Sequence, residues 1–526
     1  MELFDSFKDG RDPRMITTSI AAATALALYG VYYCTRAFAA QTRGKPINEI
    51  PAVDGAIPYF GHMFQIPKEL PMLKFHEWHQ RYGSIFRMNL GVKPWIVIGN
   101  RHIAHDILKI NDDVTSGRPY HHYLSHYHMI NRGGVSFRNP DERWRRYRAI
   151  AQTILRPQNV AAMTQTIEFE ACRVSDLLLK GTTAAGVNTV KYMQLLTQNV
   201  ITNALFGITM ESLDDPLYKC VIGLVDKSIK WAGPLEDIYT FLPILAQIMD
   251  IFTSNQKKMA ELIENKRNPV YRRLIQQALE HGRPCLVKDM YINNEQYEFD
   301  DDDILVFVSN MVNAGTETVA MALSWTVLIL SRYKDVQKRL QQEVDAFIAQ
   351  YNRMPVYEDR ENLPLLISVQ KECLRFRPPM HFALPRETTE DLEYKGYHIP
   401  KSTVLLANTF TMNFSEEYYD EPEKFIADRF LKDQRPFAVS ASASPEKKRD
   451  QFVFGWGRRL CPGAHLADVE YFAMMVRILA TINIEPPLDD KGEPVHGDLN
   501  AFRDAGLVVA PLESQLRFIQ RPDKLI

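Results

Sequence analysis

FVFGWGRRLCPGAHLA, residues 452–467, decides how this chain is read. Gly455 and Gly457 allow tight turns that a side chain would forbid, and they let the backbone approach a flat ligand closely. Cys461 follows, and Pro462-Gly463 opens an apolar helix through Ala464, Leu466, Val469 and Phe472. A thiolate beside a helix N-terminus is stabilised by the helix dipole and by free backbone N–H groups. Hydrogen bonds of that kind also tune a metal held by the sulfur. Arg459 can grip a carboxylate, bidentately if the geometry allows. A lone cysteine in a Gly-rich turn is more often core than ligand. The joint spacing of Phe454, Gly457, Arg459, Cys461 and Gly463 is what separates this one from that background.

Upstream, an apolar helix is predicted from Asp303 to Tyr333, with Asp300 to Asp303 supplying a cap and negative charge where the dipole favours it. Inside it, NAGTET (313–318) puts Ala314, Glu317 and Thr318 at i, i+3 and i+4, on one face. Gly315 costs the helix about 1 kcal/mol against alanine, so it needs a reason, and close approach by a ligand is one. The plainer alternative is a threonine bonding back to its own helix and a solvated glutamate. In KECLRFRPP, Glu372 and Arg375 can pair at i, i+3, and Arg429 follows in FIADRF. Trp144 and Arg148 share a helix face at i, i+4, and Leu384-Pro385-Arg386 begins a strand-like stretch.

In their order and spacing these segments resemble the cytochrome P-450 family: FxxGxRxCxG at every specified position, then (A/G)GxxT, ExxR with a later arginine, and WxxxR. Two departures stand out: Val319 replaces a frequent second hydroxyl residue, and FIADRF lacks the Pro and Glu of the family's PERF-type segment. The resemblance covers residues 36–526. It implies a mainly α fold with small β-sheets, a long central helix over the haem and the cysteine-ligand loop below. By the same resemblance Cys461 is the axial ligand of the iron of haem b (iron protoporphyrin IX). Arg459, Trp144, Arg148 and Arg386 meet the propionates, and Phe454, Ala314 and Gly315 pack on the cofactor. Thr318 and Glu317 serve oxygen activation and proton supply. Glu372, Arg375 and Arg429 form a structural triad. The implied activity is insertion of one atom of dioxygen into a C–H bond of a lipophilic small molecule, of terpenoid, steroid or polyketide class. Fungal members are the nearest in texture, including those of secondary metabolism. No flavin or nicotinamide site is legible, so electrons come from NADPH through NADPH–cytochrome P-450 reductase, with cytochrome b5 a further candidate donor. The alternative is a haem-thiolate isomerase or dehydratase acting without dioxygen; relatives of that kind often lack the threonine that stands here at 318.

The rest of the chain is compatible. It has 526 residues, 46% hydrophobic and 24% charged, and a net charge of −2, so nothing global points to nucleic acid. Six cysteines (34, 172, 220, 285, 373 and 461) lie far apart with no CxxC, and a chain of this length needs no disulfide framework, which reads as reduced and cytosol-facing. Met15 to Cys34 carries no charge and is flanked by Arg14 and Arg36. Such a run spans a bilayer core of roughly 30 Å, and Tyr29, Tyr32 and Tyr33 suit an interfacial belt. A cleaved signal peptide is the alternative, but the run is long and no clear small-residue cleavage site follows. The expected organisation is an N-terminal segment (1–14), a transmembrane anchor (15–35), a linker (36–50) and one catalytic domain (51–526), on the cytosolic face of the endoplasmic reticulum membrane.

Helical patterns run from Glu142 to Arg353. Strand-like runs are SIFRMNL (84–90), WIVIGN (95–100), 387–406 with a turn at Lys395-Gly396, 507–509 and 515–519. Tyr120 to His128 holds four histidines with no cysteine or carboxylate cluster, and is expected to be a lid loop rather than a zinc site. Residues 380–384 and 505–508 are expected to line the substrate pocket. By the resemblance, Arg143, Arg145 and Arg146, with Lys447, Lys448 and Arg449, lie on the face where the thiolate enters and offer a basic docking surface to an acidic flavin domain, the alternative for 447–449 being a solvated loop.

Overall fold

A computed structural model of the chain describes residues 49–233, 235–443 and 449–525. The expected N-terminal segment and anchor, the linker up to residue 48, and Lys447 and Lys448 lie outside the described residues. The molecule is built on the helix Asp301–Arg332. Asp300 caps it through a reciprocal capping box with Asp303. Asp303 is itself fully buried, and it accepts hydrogen bonds from Tyr147 Oη (2.6 Å) and from the guanidinium groups of Arg143 (2.7 Å) and Arg132 (3.2 Å). Among the described residues this is the one helix long and apolar enough to cross a membrane, but 83% of its apolar window is buried inside the protein. A helix apolar on all sides is the spine of a large core.

Thr189–Phe206 packs along that spine, and Thr197 Oγ1 donates to the Thr316 carbonyl at 2.7 Å between the two. Pro157–Gly181 then packs against both Thr189–Phe206 and the helix Ala464–Thr481 that follows the cysteine loop. The Cβ that Gly315 lacks would stand 3.1 Å from Cγ1 of Ile201, so the close approach at this position is made by the neighbouring helix.

The β structure is small. Ile85–Leu90 and Lys93–Ile98 form an antiparallel hairpin, Val404–Ala407 joins it in parallel, and Arg386–Glu387 closes the four-stranded sheet antiparallel. That last register places Arg386 opposite Leu405. A three-stranded sheet runs in the order Val187–Asn188, Gln515–Gln520, Ile482–Glu485. Leu392–Tyr394 pairs with Tyr397–Ile399 around Lys395 and Gly396, both at positive φ. Two local expectations shift. The strand near 507 is Val509–Pro511, paired with Phe502–Asp504, a charged triplet without strand periodicity. The histidine segment is a wide helical coil, His122–His128, rather than an open loop.

Candidate functional site

The loop before Cys461 turns tightly at Gly457–Arg459. Gly457 has φ +52°, and a Cβ there would meet Asp112 Oδ2 at 2.5 Å and the Leu108 carbonyl at 2.8 Å, so only glycine fits. The Cys461 N–H donates to the Phe454 carbonyl at 2.8 Å, closing the loop, and Gly463 stands at the start of the following helix. Protein surrounds Cys461, yet its side chain is solvent-accessible: the surface it shows is the wall of an internal cavity. Burial pushes the thiol pKa up, opposed by the Gly463 N–H and the Arg148 guanidinium.

Four arginines line the same cavity: Arg118, Arg148, Arg386 and Arg459. All are held by backbone carbonyls. Arg118 donates to Ser136 O (2.7 Å) and Leu384 O (2.9 Å), Arg459 to Ser116 O (2.9 and 3.0 Å), Arg386 to Leu108 O (2.8 Å) and Trp456 O, and Arg148 to Leu460 O. None of the four forms an ion pair with a carboxylate among the described residues. Burial, then the charges of Arg386 and Arg148, brings Arg459 down to about 9. Burial also brings Arg386 to about 9, and Arg118 is pushed well below the usual arginine range by burial and by the other three. Unpaired buried cations of one sign are costly, and a ligand with carboxylates at this edge removes the cost. A soft sulfur open to the cavity, with four convergent cations beside it, fits haem: Cys461 would hold the iron and the arginines the propionates.

Arg118 was not among the candidates read from the sequence. It sits between Gly117 and Pro119 in a stretch with no helical or strand period, so no spacing rule selects it. Trp144 is placed differently from expectation. Its indole N–H donates to Val135 O at 3.0 Å, and its ring carries the Arg459 guanidinium at 4.6 Å, so it supports that arginine from outside the cavity lining. Phe454 and the backbone turn around it do face the cavity.

On the opposite wall the central helix contributes Ala314, Gly315 and Thr318. The Thr318 hydroxyl donates to the Ala314 carbonyl of its own helix at 3.0 Å, while the residue stays open to the cavity. Glu317 turns away from the cavity. It is buried, accepts a hydrogen bond from Gln194 Nε2 at 2.8 Å, and is pushed up to about 7 by burial and by Asp226.

The structure brings Glu372, Arg375 and Arg429 together outside the cavity. Glu372 accepts from Arg375 (2.7 and 2.8 Å), Arg429 (3.0 Å) and the Ile426 N–H (2.9 Å), and Arg375 reaches the carbonyls of Asn413, Pro422 and Lys424. The expected basic docking face is corrected at one position. Arg449 is buried, with its guanidinium bonded to the Gln451 and Gly455 carbonyls and stacked 4.4 Å from the Trp456 ring. Arg143 is tied to Asp303, and Arg146 to Glu142 and Glu298, which leaves Arg145 exposed on that helix.

The family model described as cytochrome P-450 matches residues 51–517. The chain is similar to the cytochrome P-450 monooxygenase virE of Hypocrea virens, 26% identical over 486 residues that span 91% of this chain and 87% of that one. It is similar to cytochrome P-450 monooxygenase 58 of Postia placenta, 27% identical over 493 residues, 92% of this chain and 91% of that one. A zebra fish cytochrome P-450 solved with abiraterone has the same fold, with a TM-score of 0.70 at 22% identity, covering 86% of this chain and all of that one.

Proposed function

The chain belongs to the cytochrome P-450 family and is a haem-dependent monooxygenase, and on that footing we propose that it hydroxylates a lipophilic terpenoid, steroid or polyketide with electrons from NADPH–cytochrome P-450 reductase. The observation that carries this reading is that the Cys461 sulfur and the Thr318 hydroxyl open onto one cavity whose remaining wall is mainly apolar. Haem b, when bound, supplies dioxygen binding and activation, with thiolate donation favouring O–O cleavage. The protein does the rest. Cys461 presents the thiolate, and Arg118, Arg148, Arg386 and Arg459 fix the cofactor's carboxylates. Ala314 and Gly315 give it a flat surface, and Phe454 packs beside it. Thr318 holds a proton on Oγ1 that can swing from the Ala314 carbonyl into the cavity, with Glu317 behind it as the reservoir. Leu124, Met129, Val319 and Ala322 exclude water from the substrate side.

For localisation we propose the endoplasmic reticulum membrane, with residues 15–35 as anchor and the catalytic domain in the cytosol. The helix Pro243–Thr253 supports it: Ile244, Ile248, Met249, Ile251 and Phe252 are all exposed, the last two at 77% and 84%. Phe64 adds to this patch, because Tyr59 Oη accepts from the Ile244 and Leu245 N–H groups and holds residues 59–64 beside the helix. An apolar patch of this kind is a membrane or partner contact. Arg145 remains the basic residue on its helix free for reductase docking, with cytochrome b5 as a second donor.

The test is reconstitution of the full chain with haem, reductase and NADPH, followed by a screen of lipophilic compounds for a low-spin to high-spin Soret shift. Oxygenated product that carries label from dioxygen supports the reading. A product that forms without dioxygen or NADPH overturns it in favour of an isomerase or dehydratase.

A further inference from the structure

The cavity wall formed by residues 310–322 of the central helix and by residues 124–129 is apolar apart from Thr318 and three other side chains: Asn310, Asn313 and His128. Asn310 is only 6% exposed. Its Oδ1 accepts the Ser136 backbone N–H at 3.3 Å, which fixes the orientation of the amide. Its Nδ2 then faces the cavity with no partner among the described residues. Asn313, one turn on, bonds His128 Nε2 through its Nδ2 at 3.2 Å, which leaves its Oδ1, an acceptor, for the cavity. His128 is fully buried and is anchored by Arg267, whose Nη1 donates to the His128 carbonyl at 2.6 Å. Burial and that same arginine keep the imidazole neutral. Tyr123 and Ser228 continue the array, with Tyr123 Oη donating to Ser228 Oγ at 3.1 Å.

An amide donor left unmade in a dry cavity is expensive, and the site rejects any ligand that leaves it so. We infer that Asn310 and Asn313 clamp an oxygen already present on an otherwise lipophilic substrate: Asn310 Nδ2 donates to a hydroxyl or carbonyl oxygen, and Asn313 Oδ1 accepts when that oxygen is a hydroxyl. The inference rests on the monooxygenase reading, in which Thr318 marks the reacting end. Thr318 lies eight residues beyond Asn310 and five beyond Asn313, so about 12 and 7.5 Å further along the helix. The carbon that is oxidised therefore lies on the order of 7–12 Å from the clamped oxygen, at the other end of a rigid polycyclic molecule. The reaction must follow a step that has already placed oxygen on that skeleton.

The full-length holoenzyme is titrated with 5α-androstane and with 5α-androstan-3-one, and the ferric spin shift is followed. One hydrogen bond to a neutral acceptor predicts about fivefold tighter binding of the ketone. Asn310→Leu should erase that preference. Asn310→Asp, which keeps the acceptor for Ser136 and replaces the donor, should erase it too and guards against misfolding of the leucine variant. Wild type that binds neither probe, or both equally, overturns the clamp, as does a folded variant that keeps the preference. The ferrous–carbon monoxide spectrum of the same sample separates the two failures. Without a thiolate band the monooxygenase reading falls; with the band present and no ketone preference, only the clamp falls.

Discussion

Gln194 Nε2 donates to Glu317 Oε1 at 2.8 Å and so joins two helices directly behind Thr318. The same amide bonds Asp226, which makes it the bridge between the buried Glu317 carboxyl and the more exposed Asp226. Arg503, from the Phe502–Asp504 strand, moderates both, Lys191 acts on Asp226, and Tyr218 stands close to the pair. The arrangement keeps a proton on Glu317 up to about pH 7, where an ordinary glutamate has lost it.

Coupling of NADPH use to product should therefore fall as pH rises through about 7, since above that value Glu317 no longer carries a proton to give. Glu317→Gln should be poorly coupled at every pH and show no such step. The stability sign is independent of catalysis. The folded-state pKa lies above the ordinary value of 4.5, so the native state binds the extra proton and stability declines as pH rises from about 4.5 through 7. Glu317→Gln removes that decline and should be relatively more stable at pH 8, by up to ~3 kcal/mol. Parallel denaturation curves at pH 5 and pH 8 check it; an identical pH dependence in the two proteins would refute the assignment.

Cys461→Ser should abolish the ferrous–carbon monoxide band of thiolate ligation while leaving the fold intact, because the loop is closed by backbone atoms of residues 454 and 461. Circular dichroism and the carbon monoxide difference spectrum are read together. A band at full intensity identifies another ligand.

Arg118→Leu separates cofactor binding from folding. It removes one of four mutually repelling buried cations, so the haem-free protein should be no less stable than wild type. The holoprotein should lose haem to apomyoglobin about tenfold faster or more, the effect of one lost charge-assisted hydrogen bond. Slower haem transfer would remove Arg118 from the cofactor's edge.

Lys371→Met tests a buried ion network. Lys371 is fully buried and pairs with Asp433 at 3.1 Å and Asp450 at 2.9 Å, tying the ExxR helix to the segment that leads into the cysteine loop. Its removal strands the Asp450 carboxylate, while Asp433 keeps Arg435, and should cost about 3–5 kcal/mol. Lys371→Met combined with Asp450→Asn should recover part of the loss in urea denaturation. A loss that the double variant does not reduce would place the lysine's contribution elsewhere.

Phe252→Trp puts a reporter on the most exposed apolar side chain of the Pro243–Thr253 helix. In vesicles that hold the full chain, its fluorescence should be quenched by lipids brominated on the acyl chain. Quenching only by aqueous iodide would place this face in water.

The parts of the site carried by fixed local spacing were legible in the sequence: the Cys461 loop, the long helix with its acidic cap, and the Glu372–Arg375 pair all lie within one turn or one helix. What was missed depends on contacts between distant segments. Arg118 reaches the cavity only because Gly117 pairs with Glu387 across 270 residues. Lys371 precedes Glu372 and looks like a surface charge until residues 433 and 450 fold over it. Glu317 shares a helical face with Ala314 by spacing, but packing against Gln194 turns its carboxyl away from the cavity. Gly315 lines the cavity, but the side chain that leaves no room for a Cβ there is Ile201 of the neighbouring helix, a contact that spacing does not reveal. Arg449 belongs to a charge run in the sequence, while its neighbours 451 and 455 supply the carbonyls that bury it.

The carbonyls gathered by Arg375 and Arg429 come from positions 413, 420, 421, 422 and 424, in a stretch with almost no regular structure. Segments without a ladder of their own usually open first and exchange their amide hydrogens fastest. Here two guanidinium groups bolt such a segment to a fully buried carboxylate, so its opening is tied to that of the helix Pro364–Phe376. Its amides should exchange late, together with the core, and heating should release the chain's least regular region among the last.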